Sequence, residues 1–128
     1  MGDLSHLARV LVVEDEGLIL LDLESTLVES GIGEVVTAAS VEEGLALMEQ
    51  HAAFDAAVLD LHLGRSGWSY ALAHALQARD VPFVFSSGTV EVAEGFADVP
   101  LVSKPFAPED LIAALLSVAP ARSLAAAN

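Results

Sequence analysis

The sequence Arg9-Val-Leu-Val-Val-Glu-Asp-Glu16 sets the pattern for the rest of the chain. After Arg9 it is apolar and β-branched up to Val13, which predicts a short buried strand, and three acidic residues follow directly. Similar short runs predict four further strands, at Glu34–Ala38, Ala56–Asp60, 82–86 and Leu101–Ser103. Their apolar character is continuous rather than alternating, which is typical of a parallel sheet covered on both faces.

Helices are predicted between these runs, because apolar residues there recur every three or four positions. Gly31 is placed to end the first helix, and Ser40 with Glu43 three residues later predicts a capping box that starts the second. Pro108 suits the first turn of the last helix, whereas residues 89–98 have room for only a short, weak helix. The apolar stripes are Leu20, Leu23 and Leu27; Val41, Leu45 and Met48; Trp68, Leu72 and Ala75; and Leu111, Leu115 and Val118.

Alternating strands and helices predict one α/β domain over residues 9–118, a doubly wound five-stranded parallel sheet with helices on both faces. Residues 1–8 are predicted to form an N-terminal arm. Residues 119–128 are rich in small side chains and carry no further stripe, so we expect a flexible tail there. A chain of 128 residues leaves no room for a second domain of ordinary size.

The chain is strongly acidic, with 19 acidic residues against five basic ones and a net charge of −14. This charge disfavours direct binding to nucleic acid or to an anionic membrane, since both would repel it. The absence of cysteine excludes disulfides, thiol catalysis and thiolate metal sites, and it fits a cytoplasmic protein. No apolar run is long enough to cross a membrane.

Polar side chains stand at the carboxyl ends of four of the five predicted strands. Glu14 and Asp15 follow the first strand, Asp60 ends the third, Ser87 follows the fourth and Lys104 follows the fifth. The carboxyl ends of parallel strands meet at one edge of the sheet, where ligands bind in open α/β folds. The sequence therefore predicts the functional site at this edge.

These residue types suit phosphoryl transfer onto a carboxylate. Carboxylate oxygens without any cysteine favour a hard cation, and Mg²⁺ is held by one or two carboxylates together with phosphate oxygens. An Asp held near Mg²⁺ can attack phosphorus to form an aspartyl-phosphate. Lys104, the only lysine in the chain, and a serine hydroxyl can contact the phosphoryl oxygens.

In this order and spacing, four motifs make the chain resemble a response-regulator receiver domain over residues 8–118. They are Val10-Leu-Val-Val-Glu-Asp-Glu16, the run Val58, Leu59, Asp60 and Leu61, then Val81-Pro-Phe-Val-Phe-Ser-Ser-Gly88, and Lys104-Pro-Phe106. Each motif is weak alone, and together they are specific. The resemblance implies a flavodoxin-like fold with strand order 2-1-3-4-5.

The resemblance also implies a role for each matching residue. Asp60 would be the phosphoacceptor, Ser87 the switch hydroxyl and Lys104 the lysine that contacts the phosphoryl group. Asp15 and Asp60 would bind Mg²⁺ directly and Glu14 through water, and the backbone carbonyl of His62 would complete the protein's ligands. The resemblance further suggests a cis peptide between Lys104 and Pro105.

Two positions and the length of one segment depart from the family pattern. Leu101 stands where many receivers have a switch Tyr or Phe, so we expect no coupled aromatic rotation. Gly64 replaces a common proline, which predicts a more mobile loop after Asp60. The span between Ser87 and Lys104 is short, which curtails the helix there.

Ser86 competes with Ser87 for the switch role. The number of residues from Pro82 favours Ser87, and we expect the Ser86 side chain to point away from the site.

The leading hypothesis is a receiver that accepts a phosphoryl group on Asp60 from a histidine kinase or a histidine phosphotransfer protein. It would be a signalling protein rather than an enzyme, with only self-catalysed transfer and hydrolysis, and it would act on a downstream protein partner through its 89–118 face. Three alternatives stay open. They are a degenerate receiver that binds a partner without phosphorylation, a receiver excised from a hybrid histidine kinase, and a haloacid-dehalogenase-type phosphatase. The phosphatase family has an Asp-x-Asp motif, and the sequence Asp60-Leu-His62 lacks its second aspartate.

Overall fold

In the computed structural model, strands and helices alternate along the chain as the sequence predicts. The structure describes residues 3–51, 53–88 and 95–121. The elements are β1 (Arg9–Val13), α1 (Gly17–Glu29), β2 (Glu34–Ala38), α2 (Val41–Gln50), β3 (Ala56–Asp60), a 3-10 turn (Gly64–Ser66), α3 (Tyr70–Ala78), β4 (Phe83–Ser87), β5 (Leu101–Ser103) and α4 (Pro108–Val118).

The five strands form one sheet in the order β2-β1-β3-β4-β5, and every neighbouring pair is parallel. Val13 is in register with Ala38 of β2 on one side and with Leu59 of β3 on the other, so β1 lies between these two strands. The predicted doubly wound, flavodoxin-like architecture with order 2-1-3-4-5 is confirmed. Each strand therefore ends at the same edge as its neighbours.

Two apolar cores cover the two faces of the sheet, because successive side chains of a strand point to opposite faces. Leu11 and Val13 of β1 belong to the core that packs against α2 and α3. Val10 and Val12 belong to the core that packs against α1 and α4. All of the side chains of β3 and β4 are buried, as expected for central strands of a sheet with helices on both faces.

The predicted helix ends have the expected local geometry. The hydroxyl of Ser40 accepts a hydrogen bond of 3.0 Å from the Glu43 amide, and the Glu43 carboxylate accepts one of 2.7 Å from the Ala39 amide. Gly31 follows α1 with φ of +101°, a conformation that glycine adopts without strain. Pro108 is the first residue of α4, where its missing N–H costs no helical hydrogen bond.

Trp68 is a correction to the sequence analysis, which makes it the first core residue of the third helix. The helix begins two residues later at Tyr70, and 53% of Trp68 is exposed. Its ring packs edge-on against His62 and stacks on Tyr70. The helix buries Leu72, as predicted, together with Ala73 and Leu76, whereas the predicted Ala75 is only partly buried.

The strand predicted at 82–86 is shifted by one residue, to Phe83–Ser87. Pro82 has no N–H for the ladder, although its carbonyl accepts a hydrogen bond of 3.0 Å from the Ala57 amide. The shift extends β4 to Ser87. Of the weak helix predicted at 89–98, residues 89–94 lie outside the described part of the chain, and so do residues 122–128 of the predicted tail.

Residues 3–8 of the predicted arm pack onto the domain. Leu4 and Leu7 are buried, and the Leu4 amide donates to the Ser30 carbonyl at 2.8 Å. These two side chains extend the α1/α4 core. Among the described helices, none has both the length and the apolar character needed to span a bilayer.

Candidate functional site

The sheet topology brings all the sequence-predicted site residues to one edge. Glu14 and Asp15 directly follow β1, and Lys104 directly follows β5. Asp60 is the last residue of β3, and Ser87 is the last residue of β4. The Lys104 amide donates to the Ser87 carbonyl at 2.9 Å, which extends the β4–β5 ladder and draws Lys104 toward the centre of this edge.

Three carboxylates meet at this edge. Glu14, Asp15 and Asp60 each offer a carboxylate oxygen within 4.8 Å of the other two. Glu14 is fully buried and Asp60 is buried, whereas Asp15 is exposed. One cation can contact oxygens at this separation, and an all-oxygen donor set with one solvent-facing side suits a hydrated Mg²⁺ ion. The residues therefore fit the metal that the sequence predicts.

Lys104 supplies the positive charge of the site. Its Nζ lies 2.7 Å from Glu14 Oε1 and 3.0 Å from Asp60 Oδ2. The contact with Glu14 is a close ion pair without the geometry of a directed hydrogen bond. Burial lowers the pKa of Lys104, but the two carboxylates more than offset this effect, so its pKa is raised overall. The ammonium is therefore charged at neutral pH.

Glu14 is held in an unfavourable environment for a charge. Burial raises the pKa of its carboxyl, and this effect outweighs the opposing contributions of Lys104 and of the Glu16 amide. The Asp60 carboxylate raises the pKa further. A cation at this site would lower the free energy of the charged form of Glu14, because it would add a second positive charge near the two buried acids.

Backbone amides two residues further along the chain orient the two buried carboxylates. Glu14 Oε2 accepts a hydrogen bond of 3.0 Å from the Glu16 amide. Asp60 Oδ1 accepts one of 3.3 Å from the His62 amide. With Lys104 on the other oxygen of each group, both carboxylates have one oxygen bound to the backbone and one facing the ammonium.

Two serine hydroxyls lie near this edge. Ser87 is buried at the end of β4. Ser86, which the sequence analysis expects to point away, is the register partner of Asp60 in the β3–β4 ladder. Its buried hydroxyl has no hydrogen-bond partner among the residues that the structure describes. The strand register thus places Ser86 beside Asp60 in the ladder, and the prediction that its side chain points away from the site stays a prediction.

The peptide between Lys104 and Pro105 is cis, as the family resemblance suggests. Beyond this peptide, a groove of about 340 Å³ lies between α1 and the segment that connects β5 to α4. The groove is lined by Ile19, Asp22, Lys104, Pro105 and Phe106. A larger groove of about 650 Å³, near Val81 and Pro100, lies at the opposite edge of the sheet and includes none of the predicted site residues.

An apolar surface on α1 is a feature that the sequence analysis missed. Leu18, Leu21 and Val28 are 84%, 60% and 53% exposed. Their spacing of three and seven residues puts them on one face, opposite the buried Leu23 and Leu27. The sequence could have revealed this surface, because these residues form a second apolar stripe on the same helix. Leu18 lies only three residues after Asp15, so this surface begins beside the acidic cluster.

Comparison with known proteins identifies relatives of this arrangement. The family model described as the response regulator receiver domain matches residues 10–116. The solution structure of SdrG from Sphingomonas melonis is 36% identical, with a TM-score of 0.74, and the match covers 88% of this chain and 97% of SdrG.

Two further solved structures are similar over almost their whole length. The BeF3-activated conformation of SdrG from Pseudomonas melonis is 39% identical with a TM-score of 0.72, covering 91% of this chain and 99% of that one. A response regulator receiver protein from Sinorhizobium medicae is 27% identical with a TM-score of 0.80, covering 91% and 97%. No curated protein matches the chain.

Proposed function

The chain belongs to the response regulator receiver domain family, and from this premise we propose that it accepts a phosphoryl group on Asp60 from a phosphohistidine donor in two-component signalling. The observation that carries the proposal is the Lys104 ammonium, 3.0 Å from Asp60 Oδ2 and 2.7 Å from Glu14 Oε1. A receiver that only binds partners would not need this combination of a buried acceptor carboxylate and a paired cation.

In the proposed reaction, a carboxylate oxygen of Asp60 attacks the phosphorus of the phosphohistidine. The new O–P bond forms as the N–P bond breaks, and the electron pair stays on the donor imidazole, which then takes a proton from solvent. The aspartyl-phosphate is an acyl phosphate, and water returns it to the free carboxylate. Asp60 is oriented for attack because the His62 amide holds one of its oxygens.

The other residues of the site would manage charge. Lys104 would move from the Asp60 carboxylate to a phosphoryl oxygen, and the Ser87 hydroxyl would donate to another. Asp15 and Asp60 would hold Mg²⁺ directly, Glu14 through water, and the His62 carbonyl would supply a further ligand. When bound, Mg²⁺ would neutralise phosphoryl charge and fix the orientation of the transferred group.

A protein donor, either a histidine kinase or a histidine phosphotransfer protein, fits the surroundings of the site. The exposed Leu18 and Leu21 begin beside Asp15, and the groove next to Lys104 has apolar walls at Ile19 and Phe106. Such a surface gives a protein donor apolar contact area that a small phosphate donor does not need. The output would then pass to a downstream protein partner through the 89–118 face.

The proposal is tested by incubation with acetyl phosphate and Mg²⁺, followed by intact mass spectrometry. We expect one phosphoryl adduct on the parent chain and none on Asp60→Asn, whose amide has the same shape but does not attack phosphorus. Asp80→Asn, at an exposed position in the turn after α3, is the matched control and should be phosphorylated normally.

Each of the other function classes gives a different result in this experiment. A parent chain that forms no adduct, from acetyl phosphate or from a phosphohistidine donor, would leave the phosphorylation-independent binding module as the better reading. Release of phosphate without any adduct would favour a phosphatase. An adduct that persists in Asp60→Asn would move the acceptor to another residue.

A further inference from the structure

The loop that connects β3 to α3, residues 61–69 and here called the β3–α3 loop, lies directly against the acidic cluster. Gly64 in this loop has φ of +54°. A Cβ atom built on Gly64 would lie 2.6 Å from Asp15 Oδ2, closer than carbon and oxygen atoms pack without one of them moving. The carboxylate of Asp15 therefore occupies the space that a side chain at position 64 would fill.

Hydrogen bonds within the β3–α3 loop fix the position of Gly64. The Leu63 amide donates to the Gly67 carbonyl at 2.7 Å, and the Gly67 amide donates to the Gly64 carbonyl at 3.0 Å. Leu63 itself is 1% exposed and belongs to the α2/α3 core. Although glycine replaces the proline of many receivers, the backbone here is tied down on both sides of Gly64.

Ser66 anchors the same loop to the start of α2. Its hydroxyl donates to Glu42 Oε1 at 3.0 Å and accepts from the Val41 amide at 3.3 Å. Val41 is the first residue of α2, so one of the unpaired amides of that helix end is satisfied by the loop. Withdrawal of the loop from Asp15 would break these contacts.

Asp15 is the member of the acidic cluster with the least support. Glu14 and Asp60 each accept a backbone hydrogen bond and face Lys104. Within the described residues, no hydrogen bond or ion pair orients the exposed Asp15 carboxylate. The close backbone of Gly64 is thus the main restriction on where that carboxylate can lie.

We propose that Gly64 is a positioning residue of the metal site, which keeps the Asp15 carboxylate near Glu14 and Asp60 because its anchored backbone leaves room for that carboxylate and for nothing more. A side chain at position 64 would push the Asp15 carboxylate out of the cluster while the loop stays in place. The inference rests on the proposed function, since it assigns Asp15 to a Mg²⁺ site.

The test compares Gly64→Ala with Gly67→Ala. Both glycines lie in the β3–α3 loop with positive φ, but a Cβ on Gly67 meets nothing within 4 Å. Gly67, with φ of 80° and ψ of −149°, is in a region that alanine adopts only with strain, so Gly67→Ala should lose the more stability of the two. Mg²⁺ titrations are followed by calorimetry and by the emission of Trp68, the only tryptophan.

We expect Gly64→Ala to weaken Mg²⁺ binding about tenfold or more, the usual effect of losing the support of a metal ligand. Gly67→Ala should bind Mg²⁺ as the parent does despite its lower stability. In an Asp15→Ala background, Gly64→Ala should cause no further loss of affinity, because the carboxylate that it displaces is gone.

The outcomes separate this inference from the proposed function. A parent chain without Mg²⁺ binding would overturn both. A parent chain that binds Mg²⁺, with equal binding by Gly64→Ala, would overturn the positioning role alone. A similar loss of affinity in Gly67→Ala, or a full further loss in the Asp15→Ala background, would also overturn it, because the effect would then come from the loop backbone and not from Asp15.

Discussion

Lys104 and Asp60 form an ion pair, with Nζ of the lysine 3.0 Å from Oδ2 of the aspartate. The same ammonium lies 2.7 Å from Glu14 Oε1, so one cation faces two buried carboxylates. We therefore expect Lys104 to have a structural role in addition to the phosphoryl contact that the sequence predicts. Its removal should affect stability as well as signalling.

Lys104→Met should lower the free energy of unfolding by about 1–3 kcal/mol in the absence of Mg²⁺, because it leaves two buried carboxylates without their cation. The loss is set below that of a fully buried pair, since the lysine side chain is 17% exposed. Methionine keeps the apolar stem, so the charge is the main change. Urea unfolding measures the effect, and added Mg²⁺ should restore part of the lost stability.

The matched control is Arg9→Met, which removes the surface ion pair between Arg9 and Glu34. That pair is exposed, so its loss should cost at most about 1 kcal/mol and should not respond to Mg²⁺. If Lys104→Met unfolded at the same urea concentration as the parent with and without Mg²⁺, the ion pairs of Lys104 would have no structural role.

Mg²⁺ should raise the melting temperature of the parent chain, since the carboxylates that we propose as its ligands come together only in the folded state. At a concentration ten times its Kd, the added stability is about 1.4 kcal/mol, which corresponds to a shift of several degrees for a domain of this size. Differential scanning calorimetry measures the shift, with KCl at equal ionic strength as the reference. Asp15→Ala should lose most of it, and an unchanged melting temperature at millimolar Mg²⁺ would contradict a metal site.

Ser86→Ala and Ser87→Ala should differ sharply. The buried Ser86 hydroxyl has no hydrogen-bond partner in the described chain, so its removal should leave stability unchanged or raise it by about 1 kcal/mol. Ser87→Ala should still form the phosphoryl adduct but should weaken the conformational response to it. Thermal unfolding and the response to beryllofluoride measure the two effects, and a full response in Ser87→Ala would remove Ser87 from the switch.

The sequence was sufficient to predict that the candidate site residues share one edge of the sheet. The parallel arrangement follows from continuous apolar runs such as that before Glu14, and it forces Asp60 and Lys104 to the same edge. The distances between these side chains could not be predicted in the same way. That Lys104 contacts both Glu14 and Asp60 depends on strand register and twist, which no single run of residues encodes.

One error and one omission in the sequence analysis have physical causes. Trp68 is apolar and lies at helical spacing from Leu72, but it precedes the helix and half of it is exposed, so spacing alone did not reveal burial. The mobile loop predicted from Gly64 stays a prediction, but the sequence did not show how that loop is anchored. Ser66 contacts Glu42 and Val41, which lie 24 and 25 residues away, so these tertiary contacts could not be predicted from the loop sequence.

The switch should run through β4 and the chain that follows it, with no aromatic rotation. Phosphorylation of Asp60 would bring acceptor oxygens close to the end of β4, and Ser87 would move to donate to one of them. Gly88 is exposed with open space around it, so its backbone is free to follow. The Lys104 amide donates to the Ser87 carbonyl, which links the same movement to the end of β5.

Amide hydrogen exchange with and without beryllofluoride tests this path. The largest changes in exchange should fall within residues 87–104. Leu101 in this segment is smaller than an aromatic switch residue and only partly buried, so we expect the segment to unfold locally with little cost. Residues 89–94 of this segment lie outside the described part of the chain, but exchange reports on them directly. Residues 41–51 provide the internal comparison, because Ser66 joins the loop after Asp60 to the start of α2. Larger changes at 41–51 than at 87–104 would mean that the conformational change passes from Ser66 to α2. That result would contradict the switch at Ser87.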